Sequence, residues 1–232
     1  MTRKDLEPLW LIAAFTGAGM LFVENAGAYA VSCNATYGEN CYAVDEYYPY
    51  SSVNGVKSTM YSYNLKPPSG WFNDPVWAVL ITGEQLEVGT HGDPYGMSYY
   101  WGYNAAIINR FGSPVDGSSH TFQTDNLAQN NVWNIKVDGT TYYTKTTGTP
   151  WTNNIETGYE FTYTDITLKR NDHSSKSYGR PDTGWVLWNK ADASSHYSAL
   201  VPSTGYYVKY CGTGDQQYYH IQHGQNSFPP TC

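Results

Sequence analysis

Apolar and polar residues alternate along this chain far more often than they recur at helical spacing. Alternation with period 2 marks strands that turn one face to a core. Val132–Val137 is the clearest case, with Trp133, Ile135 and Val137 on one face and Asn134 and Lys136 on the other. Asp138-Gly139 follows and leads into Thr141–Thr146, the signature of a two-residue hairpin. Val76–Thr82 is apolar on both faces, as a central strand covered from both sides should be. The stretch from Gln85 to Trp101 reads as a strand, a Gly/Pro turn and an aromatic strand returning beside the first. Further strand signals cover Val56–Asn64, Ser98–Tyr103, Ala105–Asn109, His120–Asp125, Ile155–Leu168, Trp185–Trp188, His196–Val201, Tyr206–Tyr210 and Tyr218–Ile221. Residues 31–55 and Asn171–Gly184 are polar and turn-rich, and read as irregular. About a dozen short strands, with turns every 8–12 residues or so, predict an all-β chain. The expected architecture is an antiparallel two-sheet β-sandwich of the jelly-roll or concanavalin-like kind.

Composition strengthens this picture and narrows the function. The 232 residues suit one domain and include 23 Tyr, 8 Trp and 22 Gly, which favour strands and turns. A net charge of −7 argues against nucleic acid, whose phosphates need a basic surface. Arg3 and Lys4 precede an apolar run from Leu9 to Val23, and small residues suited to cleavage follow at Ala26–Ala30. That run is shorter than the ~20 residues of a membrane span. Residues 1–30 therefore read as a signal peptide, 31–55 as an irregular lead-in and 56–232 as a single β-sandwich domain. The expected location is secreted or extracellular, with no membrane attachment after signal cleavage. Cys33, Cys41, Cys211 and Cys232 form an even set in an exported chain, which implies disulfides with three possible connectivities. The local pairs Cys33–Cys41 and Cys211–Cys232 are preferred, since they would staple the two ends of the domain.

The candidate chemistry lies in two carboxylate-bearing strands. Glu87, Gly89 and His91 share one face of their strand, opposite Leu86 and Val88. Glycine in a strand marks close approach by a backbone or a ligand, so Glu87 is expected in an open groove. Ile155-Glu156-Thr157-Gly158-Tyr159-Glu160-Phe161 repeats the pattern, with Glu156, Gly158 and Glu160 on one face and Ile155, Tyr159 and Phe161 on the other. Two carboxyls brought together on a concave face cannot both ionise freely, and their pKa values split. Such a pair supplies general acid and general base at acidic pH. His91, on the face of Glu87, is placed to tune that carboxylate. No metal is expected: His220 and His223 fall on opposite strand faces, and no Asp-rich calcium loop occurs. No other cofactor is expected, and no Gly-x-Ser-x-Gly elbow is present.

Three blocks resemble the neprosin-type glutamic peptidases, which are secreted prolyl endopeptidases with a β-sandwich catalytic domain. The first is Gly55–Met60 running on to Asn64, with Val76-Trp77-Ala78-Val79 after it. The second is Leu86-Glu87-Val88-Gly89 with Tyr100-Trp101 downstream. The third is Ile155-Glu156-Thr157-Gly158-Tyr159-Glu160-Phe161. Thr90 and Tyr159 depart from the pattern, where that family has an aromatic residue and a glycine. The resemblance implies that Glu87 and Glu160 are the catalytic pair, one activating water and the other donating to the scissile carbonyl, with Glu160 favoured as base. It also implies a polypeptide substrate, Pro-rich and cut after proline, with Tyr99, Tyr100, Trp101 and His91 as candidate substrate-binding residues. Two other classes suit the same residues. A jelly-roll glycoside hydrolase also uses two carboxylates across an aromatic groove, and a non-catalytic glycan-binding or structural surface protein would use Trp and Tyr platforms.

Overall fold

The computed structural model describes residues 29–31, 41–47, 53–61, 66–67, 70–112, 117–161, 173–188, 196–200 and 206–208. In chain order the strands are β1 (Tyr29–Val31), β2 (Cys41–Tyr47), β3 (Gly55–Tyr61), β4 (Phe72–Leu80), β5 (Gln85–Asp93), β6 (Gly96–Tyr103), β7 (Ala106–Phe111) and β8 (Ser119–Asp125). They continue with β9 (Val132–Val137), β10 (Thr140–Thr146), β11 (Thr152–Phe161), β12 (His173–Arg180), β13 (Gly184–Leu187), β14 (His196–Leu200) and β15 (Tyr206–Val208). All pairings are antiparallel. A seven-stranded sheet runs β14-β2-β11-β4-β5-β6-β7 and a six-stranded sheet runs β10-β9-β8-β3-β12-β13, while β1 and β15 form a separate pair. The expected all-β, two-sheet antiparallel sandwich is what forms.

Alternation explains how the sheets face each other. Val56, Met60, Phe122, Trp133, Ile135 and Val137 of the smaller sheet share one core with Phe72, Val76, Leu86, Val88, Tyr99, Trp101, Ile155 and Tyr159 of the larger. The β9–β10 turn is the predicted Asp138-Gly139, with φ of 50° and 77°, the doubly left-handed turn that matches strand twist. Asn104 and Ala105 make the equivalent turn between β6 and β7, at φ of 53° and 60°.

Two segments read as irregular are strands. β2 lies inside the expected lead-in, between β11 and β14. β12 lies inside the expected polar loop and pairs with β3 and β13. Its buried side chains include His173, Lys176 and Ser177, so no apolar alternation announces it. Its register also slips between Ser174 and Ser177, where Ser175 is left-handed at φ 52°. The polar burial is compensated. His173 Nε2 lies 2.9 Å from Asp74 Oδ1, its Nδ1 lies 2.6 Å from Thr157 Oγ1, and the Lys176 ammonium sits 4.7 Å above the Trp188 ring. Residues 1–28, Cys33, Cys211, Cys232, Tyr218–Ile221, His220 and His223 lie outside the described residues, as does the side chain of Cys41. All of the expected signal peptide but Tyr29 and Ala30, and both proposed disulfides, therefore lie outside the description as well.

Candidate active site

The face of the seven-stranded sheet turned away from the core carries the site. Strand register sorts its residues into three rows that cross the strands. The first row is Glu156–Trp77–Glu87–Gly102, read across β11, β4, β5 and β6. The third is Glu160–Asn73–His91–Ser98. Between them Pro75, Gly89 and Tyr100 are in register, with Gly158 bracketed beside Pro75 by the Thr157–Val76 and Glu160–Asn73 pairs. On a flat sheet Glu87 and Glu160 would be separated by two strands, about 10 Å, and by four residues along the strand, about 13 Å. The middle row keeps the sheet low between them, and the charge of Glu160 is felt at Glu87. Three of its four residues, Gly158, Pro75 and Gly89, raise no tall side chain.

The glycines there are required by geometry. A Cβ on Gly89 would lie 2.1 Å from the Asp74 carbonyl oxygen, so β4 approaches too closely for any side chain. Gly158 adopts φ 150°, which L side chains rarely take. Pro75 sits in the middle of the seven strands, where its missing N–H would normally exclude it. Its position in β4 explains why sequence reasoning began that strand only at Val76.

Glu87 is closely held. Trp77 Nε1–H donates to its Oε2 at 2.8 Å, and the Tyr100 hydroxyl donates to the same oxygen at 3.1 Å. Oε1 lies over Gly102, where a Cβ would come within 2.0 Å of it. Gly102 is thus the residue that makes room for this carboxyl, and sequence reasoning missed it; its only sequence trace is a glycine directly after Tyr99-Tyr100-Trp101. Only 3% of Glu87 is exposed, so the groove expected to be open is closed down at this end by Trp77 and Tyr100. Burial, then the charge of Glu160, push the Glu87 carboxyl up to about 7 against the two hydrogen bonds that favour its ionised form. Tyr100 is pushed well above its ordinary value, by burial first and the two glutamates next, and so stays a hydroxyl donor.

Glu160 has a different environment. Asn73 Nδ2–H donates to its Oε2 at 3.0 Å. Asn73 Oδ1 lies 2.7 Å from His91 Nδ1, and Arg110 reaches His91 Nε2 at 2.6 Å and Asp93 Oδ2 at 2.7 Å. His91 is buried and held down to about 4, by burial first and then by the Arg110 cation. Its ring nitrogens meet Asn73 and Arg110 rather than Glu87. Asn73 and Arg110 were also missed, because neither shows a distinctive local pattern.

The aromatic candidates divide. Tyr100 is on the glutamate face. Tyr99 and Trp101 are on the opposite face, in the core, where Tyr99 packs on Phe122 and Phe111 and Trp101 on Tyr143. Alternation dictates this split, so neither ring shares the face of the two glutamates. Trp71 is the ring that sequence reasoning overlooked: it is half-buried, 6.2 Å from His91, and two residues before Asn73. Glu156 accepts a 2.7 Å hydrogen bond from Asn154 and adds a lesser push to Glu87. Among the described residues, no group of three or more His, Cys, Asp or Glu could hold a metal ion.

The sandwich has the fold of the glutamic peptidases. It is similar to a solved Scytalido-glutamic peptidase with a transition state analog inhibitor (TM-score 0.56, 11% identity, covering 78% of this chain and 97% of that one). The same peptidase with a peptide-based transition state analog gives a TM-score of 0.54 at 10% identity, with the same coverage. SCP-B, a member of the Eqolisin family of peptidases in complex with the tripeptide Ala-Ile-His, gives 0.50 at 10% identity, covering 79% of this chain and 98% of that one. No family model matches the sequence, and no curated protein matches it. The likeness is one of fold and does not single out the neprosin type.

Proposed function

We propose that this protein is a secreted glutamic endopeptidase of the neprosin type, acting at acidic pH on Pro-rich polypeptides and cutting after proline. One observation carries the reading. Two buried carboxyls with opposed environments face one gap over a Gly/Pro row, and Glu87 is pushed up to about 7 partly by the charge of Glu160. Below pH 7 Glu87 holds its proton and is the acid, while Glu160, bonded by an amide N–H, is the base. Glu160 takes a proton from a water molecule as its oxygen attacks the scissile carbonyl carbon. Glu87 donates to the carbonyl oxygen and stabilises the developing oxyanion. The tetrahedral species collapses when the leaving nitrogen takes the proton from Glu160 and Glu87 recovers its own. The preference for proline rests on the three sequence blocks, with Trp71 as the ring that would stack on the pyrrolidine.

The test is digestion of a Pro-rich protein near pH 4, with fragments identified by mass spectrometry. Wild type is expected to cut after proline, and Glu87→Gln and Glu160→Gln to lose at least about 10³-fold in kcat. A folded wild type that cuts no protein but binds polysaccharide would replace this reading with the glycan-binding one.

A further inference from the structure

We infer that Arg110, His91 and Asn73 form a directed chain of donors that positions the Glu160 carboxylate, and that it works only while His91 is neutral. The inference rests on the peptidase reading and deepens it. The direction follows from chemistry. A guanidinium can only donate, so at the 2.6 Å contact with Arg110 the His91 Nε2 must be the acceptor. Its proton is then on Nδ1, which donates to Asn73 Oδ1 at 2.7 Å. With its oxygen so used, Asn73 turns its Nδ2–H to Glu160 Oε2 at 3.0 Å. The amide orientation of Asn73 is thereby fixed from two residues away. A flipped Asn73 would set its oxygen against the Glu160 carboxylate.

The far end is anchored too. Asp93 Oδ2 accepts from Arg110, while its Oδ1 accepts from the backbone amides of Tyr95 and Gly96 at the β5–β6 turn. Burial opposes it, but these donors hold Asp93 below the usual carboxylate range. The groups facing His91 are thus Arg110 from β7, Asp93 on its own strand, Asn73 from β4 with Glu160 of β11 behind it, the Tyr100 ring of β6 at 6.0 Å, and Trp71 at 6.2 Å. Protonating His91 turns Nε2 into a donor against the guanidinium, and the chain parts at that contact. Arg110 is 46% exposed on the sheet's edge strand, so it can be replaced without opening the core.

The experiment is the pH dependence of kcat and kcat/KM on one Pro-containing peptide for wild type, Arg110→Met and His91→Asn. Arg110→Met removes the guanidinium that a protonated His91 would face, so the break at that contact is lost and the acid limb should move down, while kcat above it falls because the His91 tautomer is no longer fixed. His91→Asn keeps a donor toward Asn73 that cannot titrate, so its acid limb should move down, with KM within about threefold of wild type. Nitrogen-15 NMR of the histidine rings should show His91 protonated at Nδ1. Acid limbs that coincide in all three proteins would overturn the inference, as would an Nε2-protonated His91. A wild type with no peptidase activity would instead overturn the function on which it rests.

Discussion

Replacing Glu87 by Gln should alter the pH dependence of stability more than stability in acid. In the folded protein Glu87 titrates at about 7 instead of 4.5, from burial first and the Glu160 charge second. Folding therefore favours the protonated acid. Below pH 4.5 folded and unfolded chains both hold that proton, and the contribution is intact. Above it the unfolded chain ionises first, and stability is lost until the folded carboxyl follows near pH 7. A difference of about 2.5 pH units corresponds to about 3 kcal/mol. His91 acts in the opposite sense. Its folded pKa is about 4 against 6.5, so its contribution is present above pH 6.5 and lost as pH falls toward 4. The two effects largely offset each other in wild type, and a wild-type curve alone would mislead. Subtracting wild type from Glu87→Gln leaves the Glu87 contribution, since glutamine mimics the protonated acid throughout. Urea denaturation of both proteins from about pH 4 to about pH 8 measures this difference. The variant should gain about 3 kcal/mol on wild type across that range. A difference flat to within about 1 kcal/mol would refute the placement of a destabilised carboxylate at Glu87.

Other substitutions test the neighbouring geometry. Gly102→Ala sets a methyl 2.0 Å from Glu87 Oε1, so the carboxyl must move; kcat should fall at least about tenfold, with a stability cost of about 1–3 kcal/mol by thermal melting. A variant with wild-type kcat would show that the oxygen need not lie there. Tyr100→Phe removes a donor that favours ionised Glu87, so the alkaline limb of kcat should move up by about half a unit to one unit. A limb that stays put or moves down would assign it to another group. His173→Leu leaves Asp74 buried without its imidazole, and urea unfolding should show a loss of about 3–5 kcal/mol. A loss under about 1 kcal/mol would mean the pair carries little of the packing.

The sequence pattern was legible where side chains alternate between core and solvent. β9, β10 and the Asp138-Gly139 turn follow from it, as do the core faces of β5 and β11. It was silent where burial is polar. β12 buries an imidazole and an ammonium, and periodicity counts both as solvent-facing. The two glutamates could be picked out because each stands on a strand face with a glycine two residues away. Their supporting residues could not. Asn73, Trp77, Gly102 and Arg110 are brought to the site by register between strands, and register depends on pairings that no local window contains. Adjacent aromatics were misleading for the opposite reason: Tyr99, Tyr100 and Trp101 look equivalent as a cluster, but successive residues of a strand point to opposite sides.

The contact between His173 and Asp74 has a consequence for assembly. His173 belongs to β12 of the smaller sheet and Asp74 to β4 of the larger, and the two join through the core. Asp74 stands between Asn73, which holds Glu160, and Pro75, which floors the gap between the glutamates. The smaller sheet thus grips the far side of the strand segment whose near side faces the two glutamates. Neither sheet folded alone would hold that segment from both sides, so the working surface is complete only when the sandwich has closed. The two layers are therefore expected to unfold as one cooperative unit, and the site to be lost in the same step.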